Sequence, residues 1–220
     1  KEATAVKIKW LGHASFLITS DAGVRIITDP YTTGGALHYG EIKESADIVT
    51  VSHGHFDHNN VAAVTGNPQI YQEPTVQEIK GVKFTGLATF HDENKGKDRG
   101  TNMITCMDVD GVRVCHMGDQ GYVLSSQEVE KIGRVDVLLI PVGGFYTIDA
   151  AAATTIASGL KPKVIIPMHF KNQQCAFPVM PVDNFLKDKQ NCINANKWEI
   201  EFKANRLPAE TQIIVLQPAL

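Results

Sequence analysis

Three histidines and one aspartate lie within a single six-residue segment, His53-Gly54-His55-Phe56-Asp57-His58. This segment follows an apolar stretch, 47–52, that has the pattern of a short buried strand. In an extended chain, side chains at i and i+2 point to the same side, so His53 and His55 can approach one ion. Asp57 and His58, at the turn beyond, can approach a neighbouring ion. Because burying so many polar groups without metal or hydrogen bonds would cost several kcal/mol, we predict a metal centre here.

The elements that position this segment are mainly strands. The patterns predict strands over 6–10, 15–19, 24–28, 47–52, 69–72, 82–89, 103–108, 112–116, 135–141, 163–167 and 211–216. They predict helices over 74–79, 125–132, 149–158 and 182–189, and a short helix over 59–65. At the start of the second helix, Ser125 followed three residues later by Glu128 has the pattern of a capping box. This order indicates sheets sandwiched between helical layers. Since no linker divides the 220 residues, we expect a single domain over 1–220.

The spacing His53-x-His55-x-Asp57-His58 after an apolar strand resembles the signature of the metallo-β-lactamase superfamily. That resemblance implies an α/β fold, the four-layer αββα sandwich, with two metal ions at one edge between its sheets. It implies a supporting carboxylate at Asp29, a ligand of the first ion at His91, a carboxylate that bridges both ions at Asp119 and a ligand of the second ion at His169. The implied metal ligands are His53, His55, Asp57, His58, His91, Asp119 and His169.

Three segments resemble one branch of this superfamily, the branch that contains ascorbate-6-phosphate lactonase. They are Trp10-Leu11-Gly12-His13-Ala14-Ser15, the turn Gly118-Asp119-Gln120-Gly121, and Pro167-Met168-His169. His13 and His116 are typical of that branch, and each is either a support for the metal site or a satisfied core histidine. The predicted catalytic residues are Asp57, Asp119 and His116.

The ligand set determines the expected chemistry. All seven ligands offer nitrogen or oxygen, which suits two divalent ions, Zn²⁺ first and Mn²⁺ or Fe²⁺ as alternatives. Paired ions lower the pKa of bound water from 15.7 toward about 7, so that hydroxide can attack an ester-like carbon or a phosphorus while Asp57 orients it or takes its proton. The positive charge that remains favours a small anionic ester, lactone or phosphodiester. A di-iron redox protein and a non-catalytic metal-binding protein of the same fold are the alternatives.

Composition excludes other classes of partner. The net charge of −3 and pI of about 6.2 argue against a nucleic-acid surface. No apolar run reaches the roughly 20 residues of a membrane helix, so we expect no membrane span. Asp119 stands where the best-known zinc β-lactamases carry cysteine, which argues against an antibiotic lactamase. The possibility of a homo-oligomer stays open.

The four cysteines bear on the compartment. An Asp110-Gly111 hairpin turn would place Cys106 opposite Cys115, where a cross-strand disulfide is feasible, and Cys175 and Cys192 could form a second one. Bridges would indicate export, whereas four reduced thiols packed as apolar residues would fit the cytoplasm. The chain begins at Lys1 rather than Met, which is compatible with a removed leader.

Three segments are candidates for the walls of the substrate pocket. Segments 31–40 and 143–146 contain glycines and follow strands, where active-site loops often lie, although structural loop glycines are an equal alternative. Segment 171–181, after His169, matches no motif of the superfamily and is either a lip over the substrate or a surface loop.

Overall fold

A computed structural model describes residues 4–220, in which two β-sheets pack face to face. The first sheet contains β1 (Ala5–Gly12), β2 (Ser15–Thr19), β3 (Arg25–Thr28), β4 (Ile48–Thr50), β5 (Gln69–Tyr71) and β13 (Glu199–Lys203). Across this sheet the strand order is β13-β1-β2-β3-β4-β5. The pairs from β13 to β3 are antiparallel and those from β3 to β5 are parallel.

The second sheet has eight strands. They are β6 (Val76–Ile79), β7 (Val82–Phe90), β8 (Thr101–Val109), β9 (Val112–His116), β10 (Val137–Pro141), β11 (Val164–Met168), β12 (Cys192–Asn194) and β14 (Gln212–Val215). Their order across the sheet is β12-β14-β11-β10-β9-β8-β7-β6. Strands β10 and β11 are buried along their whole length, as expected of parallel strands covered on both faces.

Three α-helices lie together on one side of the molecule. They are α1 (Ser126–Ile132), α2 (Ala150–Leu160) and α3 (Asp183–Leu186). Helix α2 contacts β10, and both α1 and α3 contact α2. The capping box predicted for α1 is present, because Ser125 Oγ accepts from the Glu128 N–H and the Glu128 carboxylate accepts from the Ser125 N–H. None of the helices within residues 4–220 combines the length and apolarity that crossing a bilayer requires.

The main core lies between the two sheets. Alternation along the strands of the first sheet sends Ile18 and Ile26 into this core and their neighbours Leu17 and Ile27 to the opposite face. That opposite face is covered by a second apolar cluster that includes Tyr31, Leu37, Tyr39, Cys175 and Val179. The mixed two-sheet fold is as predicted, and residues of segments 31–46 and 175–179 pack over the outer face of the first sheet.

One predicted helix is wrong. Segment 74–79 contributes β6, which pairs with β7 through Ile79 opposite Val82. The turn between them, Lys80-Gly81, has positive φ at both residues, as a two-residue hairpin turn requires. Strands β12 and β13 were not predicted, and the predicted helix over 182–189 is reduced to α3. The predicted short helix over 59–65 is a single 3₁₀ turn, Val61–Ala63.

The cysteine predictions are partly correct. Cys106 does lie opposite Cys115 in the β8–β9 ladder, as the hairpin turn predicts. All four cysteines are free thiols in the described chain, so of the two alternatives that the sequence leaves open, the structure has the reduced one. Cys175 is buried in the cluster over the first sheet, whereas Cys192 is exposed on β12, the outermost strand of the second sheet.

Candidate metal centre

The predicted ligands come from four chain segments that follow strands. His53, His55, Asp57 and His58 lie in the loop after β4, and His91 and His169 directly follow β7 and β11. Asp119 lies three residues beyond the end of β9. The structure brings all seven together: six of them belong to two groups of donor atoms, and Asp119 lies between the groups.

The first group consists of His53, His55 and His91, whose donor atoms all lie within 4.8 Å of one another. The ring centroids of His53 and His55 are 4.6 Å apart, and those of His53 and His91 are 4.8 Å apart. Three imidazole nitrogens at this spacing can bind one divalent ion.

The second group consists of Asp57, His58, His169 and His13, again with donor atoms within 4.8 Å of one another. Its first three members were predicted to share an ion. His13 joins them because its Nε2 lies 2.9 Å from Asp57 Oδ2 and its ring is 4.1 Å from that of His169. Of the two alternatives for His13, the structure therefore supports a position at the metal centre.

Asp119 lies between the two groups. Its Oδ2 is 3.0 Å from His91 Nε2 in the first group and 3.0 Å from His58 Nε2 in the second. Its Oδ1 is 3.4 Å from His169 Nε2. One carboxylate thus faces both groups, which is the arrangement of a bridging ligand.

Asp29 and Ser52 orient the histidines of the loop after β4. The Asp29 carboxylate accepts from the Ser52 N–H at 2.8 Å and from the Ser52 hydroxyl, and its Oδ2 lies 2.8 Å from His58 Nδ1. Ser52 Oγ is in turn 2.9 Å from His53 Nδ1. Because the Nδ1 atoms are engaged, Nε2 of both rings is left for the centre. Sequence reasoning found Asp29 but missed Ser52.

Asn102, another residue missed at the sequence level, positions Asp119. Its Oδ1 accepts from the Asp119 N–H at 2.9 Å, and its Nδ2 donates to Met117 O and to Thr89 Oγ1, both at 3.0 Å. A polar residue within the buried strand β8 is the signal that could have identified it.

Burial keeps two of the imidazoles neutral. It lowers the pKa of His53 to about 3, with further lowering by His58, and it lowers the pKa of His13 to about 4, with further lowering by His169. A neutral imidazole has a free lone pair, so both rings can bind a metal ion at neutral pH without first losing a proton.

Charge pairing dominates at His58 and Asp119. Burial alone would lower the pKa of His58, but the Asp119 and Asp57 carboxylates outweigh it and raise that pKa well above 6.5. Burial alone would raise the pKa of Asp119, but His169, His58 and His53 hold it well below 3.8. The carboxylates therefore attract positive charge, which a proton or a divalent cation can supply.

Four donor atoms at the centre are buried and make no hydrogen bond of good geometry with residues 4–220, although the three histidine nitrogens among them lie 3.0–3.5 Å from the Asp119 carboxylate. They are His53 Nε2, His58 Nε2, His169 Nε2 and Asp119 Oδ1. A buried polar atom without a partner costs about 1–3 kcal/mol, and here four converge on one place. Divalent cations would satisfy all of them, so these residues fit a metal centre.

His116 is placed differently from the other histidines of the centre. Its Nε2 lies 2.8 Å from Ala14 O in the loop between β1 and β2, and its Nδ1 accepts from the Gly118 N–H at 3.1 Å. Both ring nitrogens are therefore used by the backbone. The geometry gives His116 a part in joining the two sheets beneath the centre, and its part in the reaction stays a prediction.

Three residues of the centre have strained backbones. His13, Asp29 and His169 have φ values of 54°, 38° and 53°, in the left-handed region that non-glycine residues rarely adopt. Each costs of order 1 kcal/mol, and such strain concentrates at functional sites.

A cavity of about 490 Å³ opens over the donor atoms. Its lining residues are Gly54, His55, Phe56, Asp57, His91, Asp98, Arg99, Asp119, Tyr146, His169 and Phe177. Tyr146 and Phe177 come from two of the predicted wall segments, 143–146 and 171–181. The third, 31–40, does not line this cavity, because Tyr31 and Tyr39 are buried in the cluster over the first sheet.

Gly121 allows the loop after β9 to pack on the backbone of the His91 loop. A Cβ at Gly121 would overlap His91 C and Asp92 N, which are backbone atoms and cannot move aside cheaply. We expect Gly121→Ala to lower the free energy of unfolding by about 1–3 kcal/mol. Gly159→Ala is the matched control, because a Cβ there meets only Val129 Cγ2 at 3.7 Å. In helix α2 this control should stabilise by about 0.5–1 kcal/mol. Equal unfolding midpoints in urea for the two variants would contradict this packing.

The fold and the donor set define a protein of metallo-β-lactamase type, and comparison with known families agrees. Residues 7–169 match the family described as the beta-lactamase superfamily domain. The chain belongs to this superfamily. It is 31% identical to a UPF0173 metal-dependent hydrolase from Archaeoglobus fulgidus, over 89% of this chain and 94% of the relative. The chain is accordingly classed as an enzyme, with the metal-dependent hydrolases of the superfamily.

Solved structures show the same relationship. A structure from Thermotoga maritima, described as a Zn-dependent hydrolase of the metallo-beta-lactamase superfamily, is 37% identical with a TM-score of 0.76. The alignment covers 96% of this chain and 98% of that one. CmlA, a diiron beta-hydroxylase from Streptomyces venezuelae, is 15% identical with a TM-score of 0.54, over 82% of this chain and 47% of its own. This second likeness shows the fold alone.

Proposed function

We propose that the chain is a hydrolase with a dinuclear metal centre that cleaves a small ester, lactone or phosphodiester. The observation that carries the proposal is the convergence of four buried donor atoms, all without a hydrogen bond of good geometry to the described residues, around the Asp119 carboxylate. The metal-dependent hydrolases among its relatives support the same reaction class.

The two donor groups suggest how the ligands divide. His53, His55 and His91 would hold one divalent ion, and Asp57, His58 and His169 would hold the other. Asp119 would bridge them. Because every donor is nitrogen or oxygen, we propose Zn²⁺, with Mn²⁺ and Fe²⁺ as alternatives. When bound, such ions act as Lewis acids and lower the pKa of water.

Asp57 would accept the proton of the attacking water, and His13 would hold the Asp57 carboxylate in position. Asp57 lines the cavity, and its carboxylate can orient a water molecule or accept a proton from it. His13 Nε2, 2.9 Å from Asp57 Oδ2, restricts the rotation of that carboxylate. His13 is therefore a positioning residue in this proposal.

The cavity supports a small substrate. Its volume of about 490 Å³ lies within the range of small-molecule sites. The excess positive charge expected of two ions and two aspartates favours a substrate that is anionic or becomes so during the reaction. The ascorbate-6-phosphate lactonase branch stays a prediction, since nothing in the cavity selects a lactone over another ester.

Metal-dependent hydrolysis can be tested by reconstituting the metal-free protein separately with Zn²⁺, Mn²⁺ and Fe²⁺. We expect about two equivalents to bind, and turnover of at least one class in a panel of lactones, phosphodiesters, thioesters and β-lactams. A chelator should reduce that turnover by about a hundredfold or more, and the same ion should restore it. Turnover that survives chelation, or no turnover in any class, would contradict the proposal. Oxygen consumption by the iron form without hydrolysis would favour the di-iron alternative.

A further inference from the structure

Arg99 is a cation at the cavity wall that forms no ion pair or side-chain hydrogen bond with any residue of 4–220. Its side chain is half-buried and lines the cavity together with His91 and Asp119. Asp98 also lines the cavity, but its exposed carboxylate does not pair with Arg99. The Arg99 guanidinium lies over the face of Tyr146, whose ring centroid is 5.4 Å from Cζ. All of its N–H donors are therefore available to a ligand.

The loop that carries Arg99 is held firmly in place. The carboxylate of Asp92 accepts four backbone N–H bonds, from Asn94 at 2.8 Å, Gly96 at 2.9 Å, Asp98 at 3.1 Å and Arg99 at 2.8 Å. The loop also closes on the metal centre, because the His91 N–H donates to Gly100 O at 3.0 Å. Because the backbone around Arg99 is already fixed, binding of a ligand to Arg99 would cost little backbone conformational entropy.

A continuous wall of rings joins Arg99 to the metal centre. Tyr146, under Arg99, contacts Phe177 edge to face with ring centroids 5.5 Å apart. Phe177 in turn lies 5.7 Å from the ring of His13, which belongs to the second donor group. Phe56, with 55% of its surface exposed, also lines the cavity. The space between Arg99 and the donors is therefore flanked by apolar, flat surfaces.

We propose that Arg99 binds a second anionic group of the substrate, a carboxylate or a phosphate, while the scissile ester or phosphodiester bond lies at the metal centre. The guanidinium can bind either anion through two parallel N–H bonds, and Tyr146 stacks under it and holds its plane. The rings of Phe56, Tyr146 and Phe177 take the apolar part of the substrate. This inference rests on the proposed function for the bond that is cleaved, but the anion site itself can be tested without turnover.

The test compares pairs of probes that differ by one anionic group. Calorimetry would measure the binding of each probe to the metal-free and to the metal-loaded protein. The probes are the linear dicarboxylates from succinate to suberate and the aromatic dicarboxylate terephthalate. Each is compared with the monocarboxylate of the same skeleton. For at least one skeleton, we expect the wild type to prefer the dicarboxylate by about tenfold or more, as for a charge-assisted pair. Arg99→Gln should lose that preference, whereas Arg99→Lys should retain part of it.

The matched control is Arg206→Gln, which removes the same charge from an exposed arginine outside the cavity. It should retain the preference, and the unfolding temperature of each variant would verify that its fold is intact. A wild type without any dicarboxylate preference, or an Arg99→Gln variant that keeps it, would overturn the assignment. Hydrolysis of 4-nitrophenyl esters by the same samples reports separately on the proposed function, since the preference and the turnover can fail independently.

Discussion

Asp119→Asn is expected to abolish hydrolysis and to weaken metal binding more than any other single substitution at the centre. The carboxylate lies within 3.5 Å of four histidine Nε2 atoms, those of His53, His58, His91 and His169. Asparagine has nearly the same shape but lacks the negative charge, so it cannot bridge two cations. We expect turnover to fall by about 10³-fold or more and metal affinity by at least about a hundredfold. Steady-state kinetics and metal content per chain measure the two effects.

Asp136→Asn is the matched control for this variant. Asp136 is also a buried aspartate, but its carboxylate accepts from the Arg113 N–H at 2.8 Å and pairs with Arg134 at 3.1 Å, away from the donor groups. Its replacement should lower stability by about 1 kcal/mol and leave metal content unchanged. If Asp119→Asn kept full metal content and turnover, the bridging assignment would be wrong.

The double substitution Asp57→Asn, His58→Gln is expected to remove one ion and leave the other. These two residues belong to the second donor group, whereas the first group keeps all three of its imidazoles. We expect about one equivalent of metal per chain instead of two and a loss of turnover by about 10³-fold or more, because one metal and the residue that orients water are lost together. Elemental analysis after dialysis against a fixed free-metal concentration gives the stoichiometry.

His38→Gln provides the control for that experiment. His38 is exposed, and it is the one of the eight histidines that lies in neither donor group nor beside them. Metal content and turnover should be the same as in the wild type. Retention of two equivalents by the double variant would show that Asp57 and His58 are not ligands.

Local pattern was sufficient for much of the fold. The capping box at Ser125 and the hairpin turn at Asp110-Gly111 depend on neighbouring residues alone, and both are found as predicted. Segment 74–79 was predicted as a helix but is strand β6. Its conformation depends on pairing with β7 across the Lys80-Gly81 turn, which the segment's own residues do not show. The segments that cover the first sheet could not be predicted for a related reason. The tyrosines of 31–40 look like loop residues in sequence, but they are buried because they cover an apolar sheet face.

The residues of the functional site likewise fall into those that the sequence predicted and those that it did not. The ligand candidates were visible because metal-binding side chains at short spacing after a strand are unusual in sequence, and the resemblance supplied those farther along the chain. Ser52, Asn102 and Arg99 were missed because serine, asparagine and arginine at such positions are ordinary, and their importance comes from the partner that each one faces.

By itself, the sequence determined the strand pattern and the cluster of histidines and aspartate after β4, because these depend on local periodicity and side-chain chemistry. Its resemblance to the superfamily implied His91, Asp119 and His169. Only the tertiary structure decided that His13 stands in the second donor group and that both nitrogens of His116 are used by backbone groups. It also decided that Arg99 faces the cavity over Tyr146. Apart from the bond between the Gly118 N–H and His116 Nδ1, these contacts join residues tens of positions apart in the chain. Packing of the two sheets, which no local pattern encodes, sets their distances.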